Sequence, residues 1–138
     1  MSAERILVID DDPDVCDALR MMLEPCGYRV TCCPTGPEGV ARLHAETPDL
    51  LLLDIMLASP TEGFHIAYEL RRDEHLRDLP IIMISSIGKK LGLDYAREVG
   101  SDYLPVEDFL DKPLDAATVR GVVRQALDRR ARAPAGVH

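Results

Sequence analysis

Short apolar runs alternate with stretches of helical apolar spacing along most of this chain. Continuous apolar runs occupy residues 6–9, 50–53 and 81–84, and such runs are typical of parallel strands buried on both faces. Residues 28–33 are rich in side chains that favour strands, and a short strand is also expected at residues 108–111. The hydrophobic pattern therefore predicts five strands.

Helical patterns separate these strands. The first predicted helix follows residue 12 and ends at the Pro-Cys-Gly turn of residues 25–27. Further helices are predicted up to about Glu46, near residues 64–70, near residues 89–99 and over residues 114–131. The alternation predicts an α/β fold of the (βα)5 type, a doubly wound parallel five-stranded sheet with the flavodoxin-like order 2-1-3-4-5. We expect one domain over residues 1–131 and a C-terminal tail over residues 132–138.

Polar residues stand where the predicted strands end. Asp10 and Asp11 follow the first strand, Asp54 ends the third, Ser85 ends the fourth, and Lys112 follows the fifth. In such sheets ligands bind at the carboxyl ends of the strands where the strand order reverses, so we expect three carboxylates to converge beside a hydroxyl and an ammonium group. Since like charges this close repel each other, a hard divalent cation such as Mg²⁺ is the simplest way to neutralise them.

This arrangement suits phosphoryl transfer. A metal that holds a carboxylate and a phosphoryl group offsets charge during the transfer, and a carboxylate nucleophile would form an aspartyl phosphate. Lys112 and Ser85 would hold the phosphoryl oxygens. Asp12 is expected outside this site, as the cap of a helix whose first residue is Pro13.

Four segments carry a family resemblance: VIDDDPDV, LLLDIML, IIMISS and FLDKP. In order and position they resemble the receiver domain of two-component response regulators, of the single-domain type similar to the chemotaxis response regulator, over about residues 4–130. The resemblance implies a phosphorylation-dependent signalling switch. Asp54 would accept a phosphoryl group from a sensor histidine kinase or phosphotransfer protein, and the signal would leave by protein–protein contact.

The resemblance also implies the metal ligands. Asp10 and Asp11 would be the acidic pair, with Asp11 the more direct ligand to Mg²⁺. Asp54 and the backbone carbonyl of Met56 would complete the protein ligands, and Mn²⁺ is the alternative ion.

Further roles follow from the same resemblance. Ser85 stands at the family's Ser or Thr position, Lys112 at its phosphate-binding lysine, and Phe109 at its switch aromatic. Apolar Met56 and Ile87, each two residues past a key position, would hinder a hydrolytic water. We therefore expect slow self-dephosphorylation, and the resemblance implies no enzyme turnover beyond this and self-phosphorylation.

Two segments depart from the family pattern. The loop after Asp54 is slightly longer than usual and has Ala58 where a proline is common. The stretch from Ser85 to Lys112 is several residues longer, and the extra residues lie in DYLPVED, before the fifth strand. The family uses the surface of the last two helices and the fifth strand for signalling and dimerisation, so this surface is expected to differ, and Tyr103 would compete with Phe109.

The net charge and the composition limit the classes of partner that are expected. The net charge of -8 and the sequence pI of about 4.9 argue against direct nucleic-acid binding, which needs clustered cations. No apolar run is long enough for membrane insertion, so a cytoplasmic protein is expected. The resemblance implies a monomer or a phosphorylation-dependent dimer. Four arginines are expected to be solvated helix charges: Arg71, Arg72, Arg129 and Arg130.

The cysteines fit none of the usual metal-binding spacings, and we expect them to be reduced and mostly buried. They are Cys16, Cys26, Cys32 and Cys33. Adjacent Cys32 and Cys33 would point to opposite faces of the sheet.

Two alternatives stay open at this point. Asp10 and Asp12 form a DxD after a buried strand, as in phosphatases of the haloacid dehalogenase type, but this hypothesis leaves Asp54 and Lys112 unexplained. A pseudo-receiver that works without phosphate is supported only by the insertion before the fifth strand. Turnover of a generic phosphate ester would indicate the phosphatase.

Overall fold

The fold is a five-stranded parallel sheet, seen in a computed structural model that describes residues 3–85, Asp94, Arg97 and residues 105–132. The strand order is β2-β1-β3-β4-β5, as predicted. The strands are β1 Arg5–Ile9, β2 Arg29–Cys33, β3 Leu50–Asp54, β4 Ile81–Ser85 and β5 Asp108–Asp111.

Helices cover both faces of this sheet. Within the described ranges they are α1 Pro13–Leu23, α2 Gly36–Ala45, α3 Glu62–Arg72 and α4 Ala116–Arg132, and a short 3-10 turn, Glu24–Cys26, follows α1. Gly27 closes that turn with a left-handed φ of 95°, which glycine adopts without a steric cost. The helix predicted near residues 89–99 lies outside the described residues except for Asp94 and Arg97, which are helical. Residues 133–138 of the predicted tail also lie outside them.

The continuous apolar runs are explained by two cores, one on each face of the sheet. Leu7, Ile9, Leu51 and Leu53 pack on the face covered by α2 and α3, while Ile6, Val8, Leu50 and Leu52 pack on the face covered by α1 and α4. Both sets are almost fully buried. A strand with helices on both faces needs apolar residues at every position, so strict alternation is absent.

The cysteines differ in part from the expectation. Cys33 is buried in the core beside α2, whereas Cys32 packs against the opposite core, so the two adjacent side chains do face opposite ways. Cys26 is exposed, and Cys16 is joined to Cys32 by a disulfide. The prediction of reduced, mostly buried thiols was therefore wrong. Its physical reason is tertiary: α1 packs over β2 and brings together two residues 16 positions apart.

No helix in the described part of the chain is both long enough and apolar enough to cross a membrane.

Candidate functional site

The acidic residues meet where β1 and β3 end. The two strands are neighbours and pair Ile9 with Leu53, so the next residues, Asp10 and Asp54, lie side by side. One carboxylate oxygen from each of Asp10, Asp11 and Asp54 lies within 4.8 Å of the other two. Asp10 and Asp54 are each only 4% exposed, whereas Asp11 is exposed. The structure thus brings together the three carboxylates that the sequence placed at strand ends.

Backbone hydrogen bonds hold the turn after β1. The backbone N–H of Asp10 donates to the carbonyl of Cys33 on β2 at 3.2 Å. Oδ1 of Asp10 accepts from the N–H of Asp12 at 2.9 Å. The Asp12 carboxylate in turn caps α1 by accepting from the N–H of Asp14 at 2.9 Å, and Pro13 is the first helical residue. Asp12 therefore acts as the predicted helix cap.

Strands β4 and β5 bring the hydroxyl and the ammonium group to the same edge. Ser85 ends β4, is 4% exposed and pairs with Asp111 of β5. Its carbonyl accepts from the N–H of Lys112 at 3.1 Å. The Lys112–Pro113 peptide bond is cis.

The Lys112 side chain reaches back over the carboxylates. Its Nζ lies 3.4 Å from Oδ2 of Asp10 and 3.9 Å from Oδ2 of Asp54. The side chain is half-buried, so this ammonium group offsets part of the negative charge of the cluster.

Burial, together with the remaining negative charge, shifts the pKa values of the two buried carboxyls. Burial, and then the negative charge of Asp10, raise the pKa of Asp54 from 3.8 to about 6, although Lys112 and the N–H of Met56 oppose the shift. That N–H donates to Oδ1 of Asp54 at 3.2 Å. Burial also raises the pKa of Asp10. The described protein groups thus compensate only part of the cost of ionising these two residues.

The donor set fits a hard divalent cation. Oδ2 of Asp10 is buried and accepts no hydrogen bond within the described residues, despite the nearby Lys112 ammonium group. Mg²⁺ prefers oxygen ligands and uses one or two carboxylates while it retains waters, so an exposed Asp11 beside a buried Asp10 suits it. The Met56 carbonyl stays a predicted ligand at the same loop.

Phe109, the predicted switch aromatic, lies three residues before Lys112 in the chain. It is on β5 opposite Met83, partly buried, and packs against the core between the sheet and the α2 and α3 helices. Tyr103 and Ile87 lie outside the described residues, so the predicted competition with Phe109 and the predicted shielding by Ile87 stay predictions.

Helix α3 supports β3 through a close approach at Gly63. The N–H of Gly63 donates to the carbonyl of Ile55 at 2.9 Å. A side-chain carbon at Gly63 would collide with the backbone carbonyl of Asp54. Glycine at this position therefore lets α3 begin directly beside the central carboxylate.

An ion-pair network that sequence reasoning missed anchors the segment before β5. The guanidinium of Arg71 donates to both carboxylate oxygens of Glu107, at 2.9 and 3.0 Å, and to the carbonyls of Pro105 and Leu79 at 3.0 and 2.6 Å. Glu107 also accepts from the N–H of Ile81 at 2.5 Å. The side chain of Arg71 is only 12% exposed, so its assignment as a solvated charge was wrong. The partners are 36 residues apart, and no local pattern signals such a pair.

The sheet order, the acidic cluster and the facing lysine define the class of protein. A family model described as the response regulator receiver domain matches residues 6–124. The chain belongs to this family of two-component signalling switches.

Named relatives and solved structures agree with this class. The chain is 37% identical over 130 residues to the DNA-binding dual master transcriptional regulator RpaA of Synechocystis sp. (strain ATCC 27184 / PCC 6803 / Kazusa), which is 94% of this chain and 52% of that protein. The signal receiver domain of a signal transduction histidine kinase from Syntrophus aciditrophicus superposes with a TM-score of 0.78 at 25% identity, covering 99% of this chain and 98% of that one. A CheY-like response regulator receiver domain protein from Methanospirillum hungatei JF-1 has a TM-score of 0.75 at 25% identity, covering 95% and 98%.

The chain spans about half the length of the curated relatives it matches. Because one of these is named as DNA-binding, the exclusion of nucleic acid from the net charge was too broad. An acidic composition bears only on the surface of this chain, not on what a protein about twice as long binds.

Proposed function

We propose that this chain is a phosphorylation-dependent switch in which Asp54 is the phosphoacceptor. The observation that carries the proposal is the cluster of carboxylate oxygens from Asp10, Asp11 and Asp54, within 4.8 Å of one another and facing the Lys112 ammonium group. In addition, the buried Oδ2 of Asp10 has no hydrogen bond within the described residues. Such a cluster is costly to ionise unless a cation neutralises it, and a cation held there can also bind the oxygens of an incoming phosphoryl group.

In this proposal an oxygen of Asp54 attacks the phosphorus of a phosphohistidine, and the oxygen–phosphorus bond forms as the phosphorus–nitrogen bond breaks. Lys112 lies 3.9 Å from Asp54, close enough to hold an equatorial phosphoryl oxygen and offset its charge. The hydroxyl of Ser85, at the end of β4, would donate to another phosphoryl oxygen.

Asp10, Asp11, Asp54 and the carbonyl of Met56 would hold Mg²⁺, or Mn²⁺ in its place. When bound, the ion would supply charge compensation for the transferring group. The Met56 side chain is 52% exposed beside Asp54 and would shield the phosphoryl group from water, so slow self-dephosphorylation is expected.

The partners follow from the family. The donor would be a sensor histidine kinase or a phosphotransfer protein in the cytoplasm. The output would be a contact with a downstream protein, made by a monomer or by a phosphorylation-dependent dimer. DNA binding of the kind named for the relative RpaA would here be supplied by a partner or by a longer form of this protein. Phe109 would turn inward when Ser85 moves toward the phosphoryl group, which is a population shift between two states.

The phosphatase alternative loses its main support. Its DxD motif needs Asp12 in the site, but the Asp12 carboxylate is exposed and caps α1.

Mass spectrometry after incubation with phosphoramidate and Mg²⁺ tests the proposal. We expect a gain of one phosphoryl group in the native chain, and none with EDTA or in Asp54→Asn. Asp17→Asn is the matched control, because Asp17 is an exposed aspartate on α1 and should leave the gain intact. No gain by a folded native chain, or an equal gain by Asp54→Asn, would overturn the proposal.

A further inference from the structure

A disulfide joins α1 and β2, the helix and the strand that contact the acidic segment through backbone hydrogen bonds. Cys16 is in the first turns of α1 and Cys32 is the fourth residue of β2, where it pairs with Val8 of β1. The structure joins their sulfurs, with a Cα–Cα distance of 6.3 Å. Disulfides usually span about 4.4–6.8 Å between Cα atoms, so the backbone positions of α1 and β2 accommodate the bond.

Both ends of this bond connect to the acidic segment through the backbone. The N–H of Cys16 donates to the carbonyl of Asp12 at 3.3 Å. The residue after Cys32, Cys33, offers its carbonyl to the N–H of Asp10 at 3.2 Å. The disulfide therefore ties α1 to β2 on either side of the loop that carries Asp10 and Asp11.

The environments of the four thiols differ in a way that favours this pair. Cys16 and Cys32 are both partly exposed, so an oxidant reaches them from solvent. Cys33 is buried on the opposite face of the sheet. Cys26 is exposed after α1, where its sulfur donates to the carbonyl of Met22 at 3.8 Å.

We propose that Cys16 and Cys32 form a reversible thiol–disulfide site that couples oxidation to the rigidity of the acidic loop. The oxidant is a peroxide or a low-molecular-weight disulfide. With a peroxide ROOH, one thiol becomes a sulfenic acid and ROH leaves; the second thiol then displaces water as the sulfur–sulfur bond forms. With a disulfide RSSR, two successive exchanges release two RSH.

Reversibility follows from the proposed cytoplasmic location and from the partial exposure of both cysteines. Disulfides in cytoplasmic proteins are mostly transient and redox-sensing, and a dithiol reductant returns this pair to two thiols by exchange. The pair is also close to solvent rather than sealed in a core.

The disulfide should oppose the opening of the acidic loop that repulsion among its carboxylates favours. Repulsion among Asp10, Asp11 and Asp54 favours opening of the loop when no cation is bound. The disulfide opposes that opening and cuts the ordering cost of cation binding. Oxidised protein should therefore bind Mg²⁺ about two- to fivefold more tightly than reduced protein. This part rests on the proposed function.

Peptide mapping tests the pairing. The purified chain is incubated with oxidised glutathione, alkylated, digested and analysed by mass spectrometry. We expect a linked peptide containing Cys16 and Cys32 that dithiothreitol abolishes, unchanged in Cys26→Ser and absent in Cys16→Ser and in Cys32→Ser. A linked peptide between other cysteines, or no linked peptide from folded protein, would overturn the site.

Thermal unfolding and Mg²⁺ titration test the consequence. A cross-link over 16 residues should raise the midpoint by about 10 °C in the native chain and in Cys26→Ser, and by nothing in Cys32→Ser. Equal Mg²⁺ affinity of oxidised and reduced protein, with the pairing confirmed, would overturn the coupling. Phosphorylation of the reduced chain is the separate readout for Asp54, so failure of the switch and failure of the disulfide site are told apart.

Discussion

At the residue scale, the site is a small group of charged side chains that the fold holds close together although the carboxylates repel one another. Asp10 and Asp54 are buried at the ends of adjacent strands, and Lys112 offsets only part of their charge. The free energy of unfolding is therefore lowered by the same side chains that make the site reactive.

The stability of the metal-free chain should fall as pH rises from about 4 to about 6. Between the ordinary pKa of 3.8 and the folded value of about 6, Asp54 binds more protons in the native state than in the unfolded state. The free energy of unfolding then decreases with pH, by at most about 3 kcal/mol, and stays lower above pH 6. Denaturant unfolding in EDTA across this range measures the slope.

Asp54→Asn should remove that slope. At pH 7.5 in EDTA we expect the variant to be more stable than the native chain by about 1–3 kcal/mol, and Mg²⁺ should narrow the gap by stabilising only the native chain. Exposed Asp17→Asn is the control and should follow the native chain. A native chain whose stability rises between pH 4.5 and 7 would contradict the assignment.

At the element scale, the segment before β5 is held by a side chain of α3, Arg71, as well as by strand pairing. Arg71, in the last turn of α3, links Pro105 and Glu107 to the start of β4. Burial raises the pKa of Glu107, while Arg71 and the N–H of Ile81 oppose the shift. The described part of DYLPVED is therefore fixed to the sheet.

Arg71→Ala should destabilise the fold by about 2–4 kcal/mol, because it leaves the Glu107 carboxylate half-buried without its cation and three carbonyls without their donor. Exposed Arg72→Ala, at the next position of α3, should change the free energy of unfolding by less than about 0.5 kcal/mol. Denaturant unfolding measures both.

The double variant Arg71→Ala with Glu107→Gln checks the mechanism. It should cost less than the sum of the two single changes, because no unpaired charge remains. Strict additivity, or equal losses for Arg71→Ala and Arg72→Ala, would show that the network carries no special stability.

At the scale of the whole molecule, two cores share one sheet. Leucines from β3 alternate between them, so each core depends on the same strand as the site. Damage to either core should therefore unfold the chain as one cooperative unit and not one face at a time.

Leu52→Ala tests this cooperativity. Leu52 is fully buried beside α1 and α4, and its truncation should cost about 2–5 kcal/mol. Met21→Ala, at a side chain that is 75% exposed on α1, should cost less than about 0.5 kcal/mol. Coincident loss of circular dichroism and tyrosine fluorescence is expected in each variant, and separate transitions would contradict a single unit.

The sequence alone determined the strand order, the cap at Asp12 and the positions of Asp10, Asp54, Ser85 and Lys112 at strand ends, because each follows from a local pattern or from the rule for parallel sheets. Tertiary structure alone decided the Cys16–Cys32 bond and the Arg71–Glu107 pair. These contacts join residues far apart in the chain, and whether such side chains meet depends on how helices pack over the sheet. No periodicity in the sequence records that packing.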